Sequence, residues 1–256
     1  LAAPGQALAV LDAFDQRFAD AAAGSAGMRR RVHLERGELM LELGRPHLAL
    51  QALALATRGD ASDRMHAARV AMLRCQLQAA GTAPPATELP VPDPATLTSL
   101  PLRLGLARAL AGRLPAGQRA DRLGALVAEA DGTELVADAM AVRADWVLAL
   151  LDSGQTGAAA RQAVALADAL PARTPALYPP LAWWAVHRAL GQPDALAAAL
   201  DWIGRAAGDG GLPAAFLPAF LQRQPVNQLV LAAAQRSPVL AAKAQQLRVR
   251  LATPGG

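Results

Sequence analysis

The chain has 256 residues, 53% of them hydrophobic, 4% aromatic and 18% charged. Ala and Leu dominate while the β-branched and aromatic residues that fill sheets are scarce, which points away from a sheet-based fold and toward an all-α protein. The formal net charge of +4 rests on arginines spread along the chain, with Lys243 the single lysine, so the charge lacks the clustering that marks a nucleic-acid binder.

The first element begins soon after Leu1, where Leu8, Leu11, Phe14 and Phe18 fall at helical spacing. The chain starts without Met and runs straight into this helix, as a piece cut mid-repeat from a longer protein would. No basic head precedes an apolar core, so the terminus does not read as a signal peptide. Apolar periodicity then predicts helices over roughly 6–22, 27–43, 46–58, 61–80, 97–114, 118–130, 133–153, 156–169, 176–190, 193–207, 213–222, 225–236 and 238–251.

Five glycines punctuate this series. Gly44, Gly81, Gly117, Gly154 and Gly191 stand 37, 36, 37 and 37 residues apart, each expected where one helix hands over to the next. Glycine suits such a turn because a left-handed backbone costs it nothing. Glu42-Leu43-Gly44-Arg45-Pro46 is echoed by Ala189-Leu190-Gly191-Gln192-Pro193, with proline placed where the next helix begins. Small and medium apolar residues such as Ala49, Leu53 and Ala56, or Ala159, Ala163 and Leu166, let paired helices approach closely. A regular period of this length is the signature of a helix-turn-helix solenoid, here an all-α, right-handed α-solenoid of about 37-residue units.

One segment interrupts the period. Between Thr82 and Pro101 six prolines stand where a second helix is due, and a helix cannot form through them. Either an extended strap anchored by Leu89, Val91 and Leu97 replaces that helix, which is the favoured reading, or the segment links two subdomains. The expected organisation is helical repeats over 1–81, the strap or linker over 82–101, repeats over 102–207, and capping helices over 208–256 that cover the apolar end of the last repeat.

The small and large residues at Gly37, Gly44, Ala49, Leu53 and Ala56 resemble the tetratricopeptide pattern, with Gly37 at its close-packing position, although most of its aromatic positions are lost and Tyr178 is the single tyrosine. The runs from Val32 to Gly44 and from Phe220 to Asn227 are similar to the C-terminal repeat regions of large bacterial signal-transduction ATPases and transcriptional regulators. This resemblance implies a cytoplasmic sensor that binds a protein segment or small inducer in its groove and restrains an effector domain lying outside the chain. A stand-alone tetratricopeptide-like adaptor is the alternative.

Chemistry-bearing motifs do not emerge. The sequence holds no GxxxxGK[ST] loop, no GxGxxG after a strand and no HExxH, so no enzyme, cofactor or metal site is expected. His33, His47, His66 and His187 fall at different phases of different repeats. Cys75 is the only cysteine and is expected to fill a helix interface; a disulfide within the chain is impossible. Glu35, Glu38 and Glu42 share one helical face and read as a solvated, salt-bridged surface bracketed by Arg31 and Arg45. No apolar run is long enough to span a membrane.

Two features carry the binding expectations. Trp183 and Trp184, with His187 and Arg188 a turn later, combine aromatics and a cation of the kind enriched in binding hot spots. Adjacent helical positions point about 100° apart, so at most one tryptophan faces the core squarely. Arg29, Arg30 and Arg31 lead into a helix and, if repeats stack, lie near Arg64, Arg69 and Arg74; such a row would bind an acidic peptide or phosphate-bearing ligand bidentately.

Overall fold

The computed structural model describes residues 4–18, 26–58, 63–84, 90–170, 178–208 and 212–249, and in these it is all-helical, without a strand. In chain order the helices are α1 (Pro4–Phe18), α2 (Ala26–Glu42), α3 (Pro46–Ala56), α4 (Arg64–Ala79), α5 (Leu100–Ala111), α6 (Ala116–Ala130), α7 (Val136–Asp152), α8 (Thr156–Ala169), α9 (Pro179–Leu190), α10 (Pro193–Ala207), α11 (Leu217–Gln222), α12 (Pro225–Arg236) and α13 (Ala241–Val249). None of them is long and apolar enough to cross a membrane. Parts of the expected first, fourth, ninth and last helices, and the Leu89 anchor, lie outside the described residues.

Three of the turns repeat one hydrogen-bond scheme. At Gly44 the glycine N–H donates to Leu41 O (2.9 Å) and the next N–H to Met40 O (2.8 Å); Gly81 and Gly154 reproduce the pair on Gln78 and Leu77, and on Leu151 and Leu150. This is the Schellman closure of a helix, and it requires the positive φ seen at all three, 69°, 75° and 78°. Gly191, at φ 68°, closes α9 with a single bond to His187 O.

Gly117 is the exception to the expected period. It lies inside α6, because Pro115 at the N-cap starts that helix two residues earlier. The preceding helix ends at Gly112 in ordinary right-handed conformation, and the positive-φ glycine of this unit is Gly132, after α6.

Helices adjacent in sequence pack as hairpins: α2 on α3, α6 on α7, α7 on α8, α9 on α10. Ion pairs join positions about one unit apart, with Arg69 on Glu35 (34 residues), Arg108 on Asp145 (37) and Arg119 on Asp152 (33). The proline segment ends in a 3₁₀ turn, Pro94–Thr96, which the Asp93 side chain caps. Leu97 then buries itself between Ala68 and Ala71 of α4 and Leu102 and Leu106 of α5, while Val91 is exposed.

Two apolar clusters make up most of the core. One joins α5 to α10 and is built on Leu104, Leu123, Val147, Leu166 and Val186. The other contains Leu34, Leu43, Leu53 and Leu73 of the N-terminal helices together with Leu196, Leu200 and Ile203 of α10, Phe220 of α11 and Val230 of α12. Residues 212–249 therefore pack beyond α10. They bring α11 and α12 onto the α2–α3 turn, where the Arg45 guanidinium donates to Ala215 O and lies 4.6 Å from the Phe216 ring centre. In an extended solenoid each unit touches only its neighbours; here the C-terminal helices meet the N-terminal hairpin.

Candidate functional site

A cleft of about 690 Å³ opens along α2 and α4 and is closed at one side by the start of α5. Its size falls within the range of small-molecule sites, about 300–1,000 Å³. Leu34, Met65, Met72, Pro101 and Leu102 supply apolar walls; Arg30, Arg31, Glu35, Glu38, Asp63, His66 and Arg69 supply charge and hydrogen-bonding groups; Gly27 also lines it.

Local structure sets these groups in place. Asp63 caps α4 by accepting from Met65 N–H at 2.9 Å. Glu35 and Glu38 lie one turn apart on α2, and Arg69 of α4 reaches across to both, Nη1 donating to Glu35 Oε1 at 2.8 Å and Nη2 to both Glu38 oxygens at 3.0 Å. The two helices approach closely at Gly37, where a Cβ would lie 2.6 Å from Leu73 Cδ2. That close contact brings Arg69 within reach of the α2 carboxylates.

Electrostatics follow from this pairing. Burial lifts the Glu38 carboxyl above its ordinary value, opposed by the charge and hydrogen bond of Arg69. Burial alone would lower Arg69, but the Glu38 and Glu35 carboxylates more than reverse this and hold its proton more firmly. Burial lowers His66, so it favours the neutral ring. His66 Nε2 lies 3.0 Å from Ala56 O and donates to that carbonyl, which leaves Nδ1 as an acceptor in the neutral form.

The predicted arginine row is only partly assembled here. Arg30, Arg31 and Arg69 line the cleft; Arg29, half-buried on α2, and Arg74, whose buried Nη1 has no hydrogen-bond partner, do not. Arg69 is committed to Glu35 and Glu38, so it is not free to fork onto an acidic ligand. The expected solvated face of Glu35, Glu38 and Glu42 also needs correction. Arg31 comes no nearer to Glu35 than 3.9 Å, and Arg45 turns away to the C-terminal segment. Among the described residues no arginine bridges to Glu42, and burial, with Glu38 adding repulsion, pushes its carboxyl up to about 7.

The aromatic pair lies elsewhere. Trp184 is buried in the cluster that spans both ends of the chain, while Trp183 is half-buried and packs against both clusters. Arg188 stacks its guanidinium 5.6 Å from the Trp184 ring centre, and His187 Nδ1 lies 2.9 Å from Gln192 O. These four residues form core and turn structure beside α10 and do not line the cleft.

No family model, no curated protein and no solved structure matches the chain.

Sequence reasoning passed over Met65, Met72, Ser99 and Leu102, and weighed His66 only with the other histidines as a metal ligand; all five line the cleft. One signal was available for α4: Asp63 two residues before Met65 marks a helix start, and from there Met65, Arg69 and Met72 fall on one face at intervals of four and three. A 250 Å³ depression at the α2–α3 turn, lined by His47, Arg223 and Gln228 among others, marks where the two ends meet.

Proposed function

We propose that this chain is a tetratricopeptide-like, right-handed helical-repeat domain that senses a ligand and relays its binding, acting as the C-terminal regulatory part of a larger cytoplasmic bacterial regulator. The role is binding, not catalysis. The observation that carries the reading is the position of α2: its first half forms one wall of the 690 Å³ cleft, and its C-terminal turn receives α11 and α12. A ligand held against Arg30, Leu34 and Glu38 therefore acts on the same rigid helix that anchors the closure of the chain. The Schellman turns at Gly44, Gly81 and Gly154 and the ion pairs spaced by one unit support the repeat reading.

Two measurements test it. Protein labelled with ¹³C at its methionine methyls is titrated with a panel of short peptides and small polar and apolar compounds. Binding in the cleft shifts Met65 and Met72 and leaves Met140, buried among α5–α10, unmoved; silence across the panel contradicts a ligand site. Immunoblotting of the source cells tests the regulatory role. A band several times the 26.4 kDa of this chain supports it, and a band near that mass favours the stand-alone adaptor.

A further inference from the structure

Every charge that lines the cleft is already engaged. Arg69 donates to Glu35 and Glu38, Arg31 pairs with the same Glu35 at 3.9 Å, Asp63 accepts from Met65 N–H, and Arg30 has an interaction of its own. The arginines Arg30, Arg31 and Arg69 also match the carboxylates of Glu35, Glu38 and Asp63 in number. An ionic ligand would therefore have to break into an existing pair or enter with its own charge unbalanced, and either carries a desolvation cost. A neutral molecule meets neither cost.

One hydrogen-bonding group on the wall stands apart from these pairs. His66 Nε2 donates to Ala56 O at 3.0 Å, which leaves Nδ1 of the neutral ring an acceptor with no partner among the described residues. Burial favours that neutral ring. Ser99, whose side chain makes no cap bond to α5, is a second uncharged polar group on the wall. The apolar surface beside them is thioether. Met72 lies against α5 at a point where Gly105 makes room for it, since a Cβ there would stand 2.7 Å from Met72 Cε, and Met65 precedes His66 and is 37% exposed. Thioether sulfur makes favourable contacts with aromatic rings and adapts to their shape.

We infer that the cleft takes an uncharged aromatic molecule bearing one hydroxyl, a simple phenol, with the hydroxyl donating to His66 Nδ1 and the ring lying against the thioethers of Met65 and Met72. This inference rests on the reading of the cleft as a ligand site.

The test titrates 4-ethylphenol beside 4-ethylanisole, in which a methyl group replaces the hydroxyl proton, and beside the charged 4-ethylbenzoate and 4-ethylbenzylammonium. Methionine methyl signals report occupancy, and the ¹⁵N signal of His66 Nδ1 reports the hydrogen bond. Ethylphenol is expected to shift Met65 and Met72, to leave Met140 in place and to move the Nδ1 signal. Ethylanisole is expected to bind about three- to tenfold more weakly without moving that nitrogen, and the two ions at least about tenfold more weakly. His66→Phe, checked for an unchanged Met140 signal, is expected to bring the phenol down to the affinity of the ether. Equal affinity of phenol and ether with an unmoved Nδ1 signal overturns the hydroxyl assignment, and tighter binding of either ion overturns the requirement for a neutral ligand. Silence with all four, while another compound of the wider panel shifts the same two methyls, overturns the inference but leaves the ligand site standing; silence throughout removes both.

Discussion

Gly44 and Ala219 are in contact, so closely that a Cβ on Gly44 would overlap the Ala219 carbonyl oxygen and come within 2.7 Å of Gln224 N. Gly44 also has a φ of 69°, so its two demands are separable by comparison with Gly154, which has a φ of 78° and open space around it. Gly154→Ala is expected to cost about 1–2 kcal/mol for the left-handed backbone alone. Gly44→Ala adds overpacking against another backbone and is expected to cost about 3–4 kcal/mol. Urea denaturation of the two variants checks this; equal losses would mean that α11 does not press on the turn.

Deleting the chain after residue 211 uncovers Leu196, Leu200 and Ile203, all nearly inaccessible in the whole protein, and strips Phe220 and Val230 from Leu43 and Leu53 of the N-terminal helices. Aggregation is expected, with a lower melting temperature for whatever remains in solution. Light scattering and thermal melts measure both. A truncated protein that melts unchanged and stays monomeric would refute the covering role of these helices.

A buried polar chain fastens the same region. Tyr178 Oη donates to Asn227 Oδ1 at 2.8 Å, Asn227 Nδ2 donates to Phe220 O at 2.9 Å, and Asn227 N–H donates to Gln224 Oε1 at 2.8 Å. Asn227 is fully buried, so Asn227→Ala strands the groups it serves and is expected to cost about 2–4 kcal/mol. Tyr178→Phe removes one bond and is expected to cost about 1 kcal/mol. A double-mutant cycle should return a coupling of order 1 kcal/mol; additive losses would mean the pair does not interact.

Glu42 gives stability a pH dependence of unusual sign for a carboxylate. Its pKa is about 7 in the folded protein against an ordinary 4.5. Between those values the folded state keeps a proton that the unfolded chain releases, so the contribution is full below about 4.5 and is lost as pH rises through 7. Glu42→Gln keeps a neutral side chain at every pH. It is expected to differ little from wild type at about pH 5 and to be more stable by roughly 2–3 kcal/mol at about pH 8. A constant difference across that range would show that Glu42 titrates normally.

Local physics was legible in the sequence, and long-range contact was not. The helix series follows from apolar periodicity and from glycine and proline at the turns, so α8, α10 and α12 carry the bounds expected of them. Gly117 misled because spacing alone does not distinguish a turn glycine from one just inside a helix; Pro115 decides it. Arg45 was matched to Glu42 by helical spacing, yet the left-handed turn at Gly44 lies between them and redirects Arg45 to Phe216. The arginine row was visible as composition, but the commitment of Arg69 to Glu35 and Glu38 depends on α4 stacking across α2. Closure of the chain on itself was the least legible feature, since the contact at Gly44 involves backbone atoms whose positions no residue type encodes.

The account turns most on that closure, which anchors the helix forming the cleft wall. His47 and Arg223 are both exposed and line the same depression at the junction, although they belong to opposite ends of the chain. Spin labels at His47→Cys and Arg223→Cys, in a Cys75→Ala background, report their separation directly. The structure predicts a single narrow distance at the short end of the range that dipolar spectroscopy reads. A long or broad distribution would mean that the ends stand apart, and that α2 does not connect the cleft to the C-terminal helices.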